Sequence, residues 1–318
     1  MTALHIQTPS RLHFGLLGWG PLALRQFGGV GLMIQRPGLE LVVEPAPDWS
    51  AEGPLADRAL SVLERLRAAG VARHPCRVVV RASPRPHLGF GVGTQLSLAV
   101  TLAVLKLEGH EEQSAETLAP LSGRGLRSGI GLHGFLQGGL IVDGGRGSRS
   151  IIPPLLARLS VPPAWKVLIL VPDARFGMHG SAEVQAFASL PAIPDTVTDR
   201  LCRLVLLGLL PAIREEDLPT FGKALEEIQE WVGRSFAPAQ GGVFARPELA
   251  KLVEQLRAEG LHGVGQSSWG PALYAFSDEP EPVRLERLDS LRRRLGLAES
   301  SLFWTSVSET GAVVRSLE

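Results

Sequence analysis

Three glycines alternate along HLGFGVGTQLSLAV (residues 87–100): Gly89, Gly91 and Gly93, followed by Thr94. Glycines so placed let backbone N–H groups come close to a partner. If a helix begins near Thr94, those amides and the helix dipole form a seat for a phosphate or carboxylate. Thr94 would then cap the helix or offer its hydroxyl. The same spacing also suits a tight strand-to-helix turn in which glycine only relieves crowding, and spacing alone does not separate the two. The loop is not GxxxxGK[ST], a pattern the chain lacks. Its alternating glycines and the absence of a surrounding βαβ repeat also set it apart from the dinucleotide-binding fingerprint.

Other segments carry groups that could act beside such a seat. SRLHFGLLG places Arg11 and His13 two apart, on one face of a strand. FGGVGL follows it, and GVGQSSWGP (263–271) supplies Gln266, Ser267 and Ser268 as donors and Trp269 as either a stacking surface or a core residue. Arg25, Arg124 and Arg127 lie in or beside the glycine-rich stretches, and only four of the 32 basic residues are lysine. Arginine suits bidentate recognition of phosphate and carboxylate. Asp143 ends a strand-like run in IVDGG, while Asp173 and Glu183 flank ARFGMHGSAE. Such carboxylates suit Mg²⁺ shared with substrate phosphates, and suit a helix cap or turn equally well.

These residues need elements to hold them. LELVVE (39–44) and CRVVVRA (76–82) read as strands, and ADRALSVLERLRAAG as an amphipathic helix stopped at Gly70. A helix over about 94–108 has no polar face and is expected at the centre of its domain. GGLIVD, KVLILV, LFWTSVS and AVVR read as strands, with helices near 180–190, 197–211, 216–233, 247–259 and 281–295. The composition shifts after IIPP and VPP, which puts a boundary within 153–163. The expected domains are residues 1–158, carrying the glycine loop, and 159–318. Strands and helices mix without a regular βαβ repeat, so the fold class is α+β.

The bulk numbers bound the partners. The chain has 318 residues, enough for two domains, with 32 basic and 32 acidic side chains and zero formal net charge. That balance argues against a nucleic-acid binder relying on bulk electrostatics. The N-terminus lacks the apolar core of a secretion signal, no stretch is long enough to span a membrane, and the two cysteines, Cys76 and Cys202, form no metal or disulfide pattern. A cytoplasmic protein with reduced thiols is expected.

PSRLHFGLLG, FGGVGLMI, HLGFGVGTQLSLAV, RSGIGLHGFLQGGLIVDGG and GVGQSSWGP occur in that order along both halves. In this the chain resembles the GHMP kinase superfamily, and more closely its non-kinase branch, the β-ribofuranosylaminobenzene (hydroxybenzene) 5′-phosphate synthases. Thr94-Gln95 stands where the kinases usually carry a serine pair. The resemblance implies a two-domain fold, the second domain ferredoxin-like. It implies condensation of phosphoribosyl pyrophosphate with 4-hydroxybenzoate or 4-aminobenzoate, losing pyrophosphate and carbon dioxide to form a C-riboside on the way to tetrahydromethanopterin. It also implies Mg²⁺, no ATP, and a homodimer.

On that reading Gly89, Gly91, Gly93, Thr94 and Gln95 bind phosphate with Arg25, Arg127, Gln266, Ser267 and Ser268. Arg11 orients the carboxylate, and His13 serves the 4-hydroxyl or a proton transfer. Asp143 acts in catalysis, and Asp143 with Glu183 holds the metal. Two alternatives remain: an ATP-dependent small-molecule kinase of the same fold, and a non-catalytic protein that binds a phosphorylated metabolite.

Overall fold

The computed structural model describes residues 2–21, 23–110, 113–125, 127–172 and 190–317. Asp173, Glu183 and the helix expected near 180–190 therefore lie outside the described residues. The first sheet begins with two long antiparallel strands, β1 (Leu4–Gly18) and β2 (Phe27–Pro45), and continues through β4 (Cys76–Ala82) to β3 (Ser50–Glu52). β3 and β4 are parallel, joined by helix α1 (Ala56–Ala68), the one βαβ-type crossover in this sheet. β5 (Leu140–Asp143) pairs with the first half of β2, and β6 (Leu155–Leu159) with β5. The last strand, β11 (Val313–Ser316), returns to pair with the start of β1. The expected division between residues 158 and 159 falls inside β6.

The second sheet runs β10 (Leu302–Ser306), β7 (Lys166–Leu170), β9 (Leu273–Ser277), β8 (His262–Gln266), all antiparallel. Counted along the chain this is the order 4-1-3-2 of a split βαβ, the ferredoxin-like arrangement.

Helix α2 (Val92–Leu107) is the central helix that its apolar sequence requires. Twelve of its sixteen residues are buried. It packs with α1, α3 (Ala115–Ser122) and α4 (Ile130–Gln137) against the sheet. The glycine-rich block before residue 140 does not read as helix, yet it holds α4. The reason is packing distance. A Cβ at Gly131 would meet Thr94 Cγ2 at 3.0 Å, and one at Gly134 would collide with Met33 Sδ. Glycine's low helix propensity is overridden by the need to bring α4 against both α2 and β2.

After residue 190 the chain forms α5 (Asp195–Leu204), widens into a π-helical turn (Val205–Leu209), and tightens again as α6 (Leu210–Arg214). Helix α7 (Leu218–Gln240) extends seven residues past the end expected from sequence, because Gly233 lies within it rather than ending it. There a Cβ would meet the Val243 carbonyl oxygen, so the glycine serves a close approach of the following loop. Helices α8 (Pro247–Ala258) and α9 (Glu281–Leu295) fall where the sequence places them. Among the described residues no helix is long and apolar enough to cross a membrane.

Gly31 tests the close seating of α4. A Cβ there would lie 2.5 Å from both Ile130 Cγ2 and the Leu12 carbonyl oxygen. The carbonyl belongs to the sheet and cannot yield. Gly31→Ala is expected to cost about 1–3 kcal/mol by overpacking, read as a lower denaturant midpoint with an unchanged m-value.

Candidate functional site

Three segments far apart in sequence are laced together by main-chain bonds. The Arg11 amide donates to the Phe90 carbonyl at 3.0 Å, and the Ala272 amide to the Leu88 carbonyl at 3.1 Å. The Ser268 amide donates to the His13 carbonyl at 3.0 Å. Ser267 completes the clasp: its hydroxyl donates to the Gly89 carbonyl at 2.7 Å and accepts the His13 amide at 3.0 Å. Strand β1, the glycine loop and the 267–272 loop thus form one frame. A β-bulge lies between His13 and Gly15 of β1, and the carbonyl of the extra residue, Phe14, accepts from Gln229 of α7. Bulges of this kind re-aim neighbouring side chains.

The frame walls a cavity of about 500 Å³. Its polar lining includes Arg11, His13, Arg58, Arg124, Arg127 and Ser128, together with Gly89, Gly91, Gly93 and Thr94. Its apolar lining includes Phe14, Val232, Phe236 and Trp269. Trp269 stands edge-on to Phe236 with ring centroids 4.7 Å apart. Such a cavity suits a ligand with an anionic part and a flat apolar part.

The anionic part has a specific seat. Gly91 caps α2 with φ +68°, and its carbonyl accepts from the amides of Thr94 and Gln95. Among the described residues no protein acceptor is found for the amides of Gly91, Val92 and Gly93. Amides left without a protein acceptor at a helix start are suited to bind an anion. A Cβ on Gly93 would lie 3.6 Å from Arg124 Nη2 and from Arg58 Nη1, so two guanidinium groups flank those amides. Arg124 is held by Ser97, whose hydroxyl donates in turn to the Gly93 carbonyl. Burial, and then the charges of Arg65, Arg58 and Arg127, push the Arg124 guanidinium below its usual range. It remains a cation, crowded by cations, and an arriving anion would relieve that repulsion.

A second arrangement lies beside His13. Its Nε2 is 3.2 Å from Ser128 Oγ, and Ser128 Oγ is 3.1 Å from Asp143 Oδ2. Asp143 is fully buried and also accepts the amides of Gly129 and Gly145, each at 2.8 Å. Burial pushes its carboxyl above the usual range, against those hydrogen bonds. Burial, with the Arg11 charge adding to it, holds His13 well below its ordinary value, so the ring is neutral at neutral pH.

Of the residues expected from sequence, Arg11, His13, Gly89, Gly91, Gly93, Thr94, Arg127, Gln266, Ser268 and Trp269 line the cavity. Five expectations need correction or fall elsewhere. Gln95 is buried and donates to the Gly131 carbonyl at 3.0 Å, tying α2 to α4. Ser267 is buried in the clasp. Gln266 reaches the cavity, but its side chain is committed to the Ala245 amide and the Ser268 carbonyl. Arg25 grips the carbonyls of Gly144 and Gly145 outside the cavity. Asp143 is fully buried away from the cavity lining, with Oδ2 accepting from Ser128 and Gly129 and Oδ1 accepting from Gly145.

Glu183 lies outside the described residues. Among those described, no Asp or Glu lines the cavity and no group of three metal-ligating side chains occurs. Among the described residues, the cavity lining therefore offers no carboxylate for a directly ligated Mg²⁺. Sequence reasoning missed Arg58, which reads as the solvated face of α1. It missed Ser128, hidden in a glycine-rich block, and Phe236, beyond the expected end of α7.

A family model described as "GHMP kinases C terminal" matches residues 209–287. β-Ribofuranosylphenol 5′-phosphate synthase of Methanothermobacter thermautotrophicus is 33% identical over 300 residues, covering 87% of this chain and 89% of the relative. The protein of that name from Archaeoglobus fulgidus is 33% identical over 287 residues, covering 86% and 88%. Homoserine kinase from Cytophaga hutchinsonii superposes with a TM-score of 0.65 at 16% identity, covering 99% of this chain and 98% of the kinase. Mevalonate diphosphate decarboxylase of Enterococcus faecalis gives 0.64 at 14%, covering 99% of each chain. Likenesses at that identity show the fold alone.

His13 makes a pH prediction. A histidine whose folded pKa is depressed favours folding above its unfolded value of 6.5, and that contribution is lost as pH falls towards the folded pKa. Below pH 6.5 the wild type should lose up to about 1.4 kcal/mol per pH unit from this residue. His13→Gln should lack that component, so the stability difference between the two proteins should narrow from pH 7.5 to pH 5.5 in urea denaturation.

Proposed function

Because the chain belongs to the β-ribofuranosylphenol 5′-phosphate synthase family, we propose that it joins the ribosyl group of phosphoribosyl pyrophosphate to 4-hydroxybenzoate. Pyrophosphate and carbon dioxide leave, and a β-ribofuranosylphenol 5′-phosphate forms. The observation that carries this reading is one cavity with a cation-flanked glycine seat and an aromatic wall. 4-Hydroxybenzoate is preferred to 4-aminobenzoate because the relatives are named for a phenol product.

The chemistry asks for charge compensation at two places. As the anomeric C–O bond breaks, negative charge grows on the leaving diphosphate and positive charge on the ribose. The amides of Gly91–Gly93, with Arg58 and Arg124, are fixed donors aimed at a growing anion, and so stabilise the transition state more than the ground state. The ring carbon bearing the carboxylate attacks the anomeric carbon, made nucleophilic by the para hydroxyl. Trp269 and Phe236 give the ring an apolar surface and exclude water, which would otherwise trap the oxocarbenium ion. Arg11 is the candidate for orienting the carboxylate, and the neutral ring of His13 is the candidate for the hydroxyl. The arginines do the charge compensation in this reading, and no step is assigned to Mg²⁺.

Carboxyl-labelled 4-hydroxybenzoate should release labelled gas only when protein and phosphoribosyl pyrophosphate are both present. Release from neither this acid nor its amino analogue, or phosphoryl transfer from ATP to a small alcohol, would contradict the assignment.

Gly93→Ala separates the seat from the fold. Its backbone accepts a side chain without strain, and the new methyl would stand between Arg58 and Arg124. The KM for phosphoribosyl pyrophosphate should rise about tenfold, roughly 1.4 kcal/mol, while the Tm holds or rises because alanine suits a helix better than glycine.

A further inference from the structure

The chain His13–Ser128–Asp143 has a direction that hydrogen-bond chemistry fixes. A serine hydroxyl has one proton to donate and two lone pairs. Ser128 Oγ lies 3.1 Å from Asp143 Oδ2, whose only role towards a donor is to accept, so the hydroxyl proton points there. The oxygen then accepts from the Ile130 amide at 3.3 Å and from His13 Nε2 at 3.2 Å. His13 therefore carries its proton on Nε2, and Nδ1 is the ring's acceptor. Of the three, His13 and Ser128 line the cavity, while Asp143 is sealed from it.

A histidine that simply kept a substrate proton would become an imidazolium beside Arg11, in a buried site, which is costly. The connected hydroxyl removes that difficulty. We propose that Ser128 is a proton-relay residue joining His13 to Asp143, through which the proton of a phenolic substrate is stored on Asp143 and returned within one turnover.

This rests on the reaction proposed above, whose proton count it explains. In the first step the ring carbon forms its bond to the anomeric carbon, and the C–O bond pair leaves with the diphosphate. The phenolic O–H pair becomes the second bond of a dienone carbonyl, and the proton passes to His13 Nδ1. The Nε2 proton moves to Ser128 Oγ, and the hydroxyl proton moves to Asp143 Oδ2. In the second step the bond to the carboxylate breaks, carbon dioxide leaves, and the pair restores the aromatic ring. The dienone oxygen recovers a proton as the relay runs in reverse. No net proton is consumed or released, so a single sealed carboxyl is a sufficient store.

The groups facing the relay are compatible with it. Gly129 and Gly145 donate amides to Asp143 in either protonation state, the charge of His133 acts on Asp143, and that of Arg11 on His13. Burial, which raises the Asp143 carboxyl, favours its taking the proton.

The test compares wild type, Ser128→Ala and Ser128→Thr on two substrates: 4-hydroxybenzoate, and a ring-fluorinated analogue whose phenol is already ionised at the assay pH. With 4-hydroxybenzoate, Ser128→Ala should lose about a hundredfold in kcat with the KM for phosphoribosyl pyrophosphate unchanged, and Ser128→Thr should recover most of it. With the ionised analogue no proton needs removal, so wild type and Ser128→Ala should turn over at nearly the same rate. ¹⁵N NMR of the wild type should show His13 neutral with its proton on Nε2. Equal losses on both substrates, no loss on either, or a proton on Nδ1 would overturn the relay while leaving the reaction standing. A wild type inactive on both acids would overturn the reaction and the relay together.

Discussion

A helix that begins inside a protein must find acceptors for its first amides, and α2 begins where the described protein supplies none. Gly91, Val92 and Gly93 line a cavity, and no carbonyl among the described residues takes their amides. Donors without a protein acceptor favour an anion, and the surrounding structure raises the electrostatic potential further. Arg58 and Arg124 flank the same spot, and the charges acting on Arg124 are those of other arginines. Much of the neighbouring architecture holds this start in place. Main-chain bonds from β1 and from the 267–272 loop clamp the segment before it, and the Gln95 side chain ties its first turn to α4. The site is thus a local electrostatic strain that a polyanionic ligand would relieve.

The fold alone does not choose that ligand. Superpositions near a TM-score of 0.65 reach both a homoserine kinase and a decarboxylase of mevalonate diphosphate, which do different chemistry on one frame. The choice comes from residues. A cavity lined by arginine, without a carboxylate among the described residues, would meet an anion with guanidinium groups directly. Trp269 and Phe236 add a surface that fits an aromatic acid. The buried Asp143, which reads from sequence as a metal ligand, is instead tied to the protein's own amides and, through Ser128, to His13.

Much of this was legible in the chain. The alternating glycines, the all-apolar helix after them, and the Arg11–His13 pair are local patterns, and each maps onto the cavity. The α+β class followed from the mixed order of strands and helices. What was not legible depends on contacts between distant segments. Arg58 sits on an amphipathic helix whose polar face looks like any solvated surface until the glycine loop is folded against it. Helix α4 hides among glycines because Gly131 and Gly134 are needed for close packing, which outweighs their propensity. Ser267 and Gln95 have the right chemistry for a phosphate, yet tertiary hydrogen bonds claim both. Ser128 gains its neighbours only in the folded chain, which brings it 3.2 Å from His13 Nε2 and 3.1 Å from Asp143 Oδ2.

The most direct measurement is a crystal structure of the protein with a carbocyclic, non-reacting analogue of phosphoribosyl pyrophosphate. The diphosphate oxygens should lie within hydrogen-bond distance of the Gly91, Val92 and Gly93 amides, with Arg58 and Arg124 closing on them. A diphosphate bound elsewhere, with those amides turned to protein carbonyls, would contradict the assignment of the glycine loop as the anion seat.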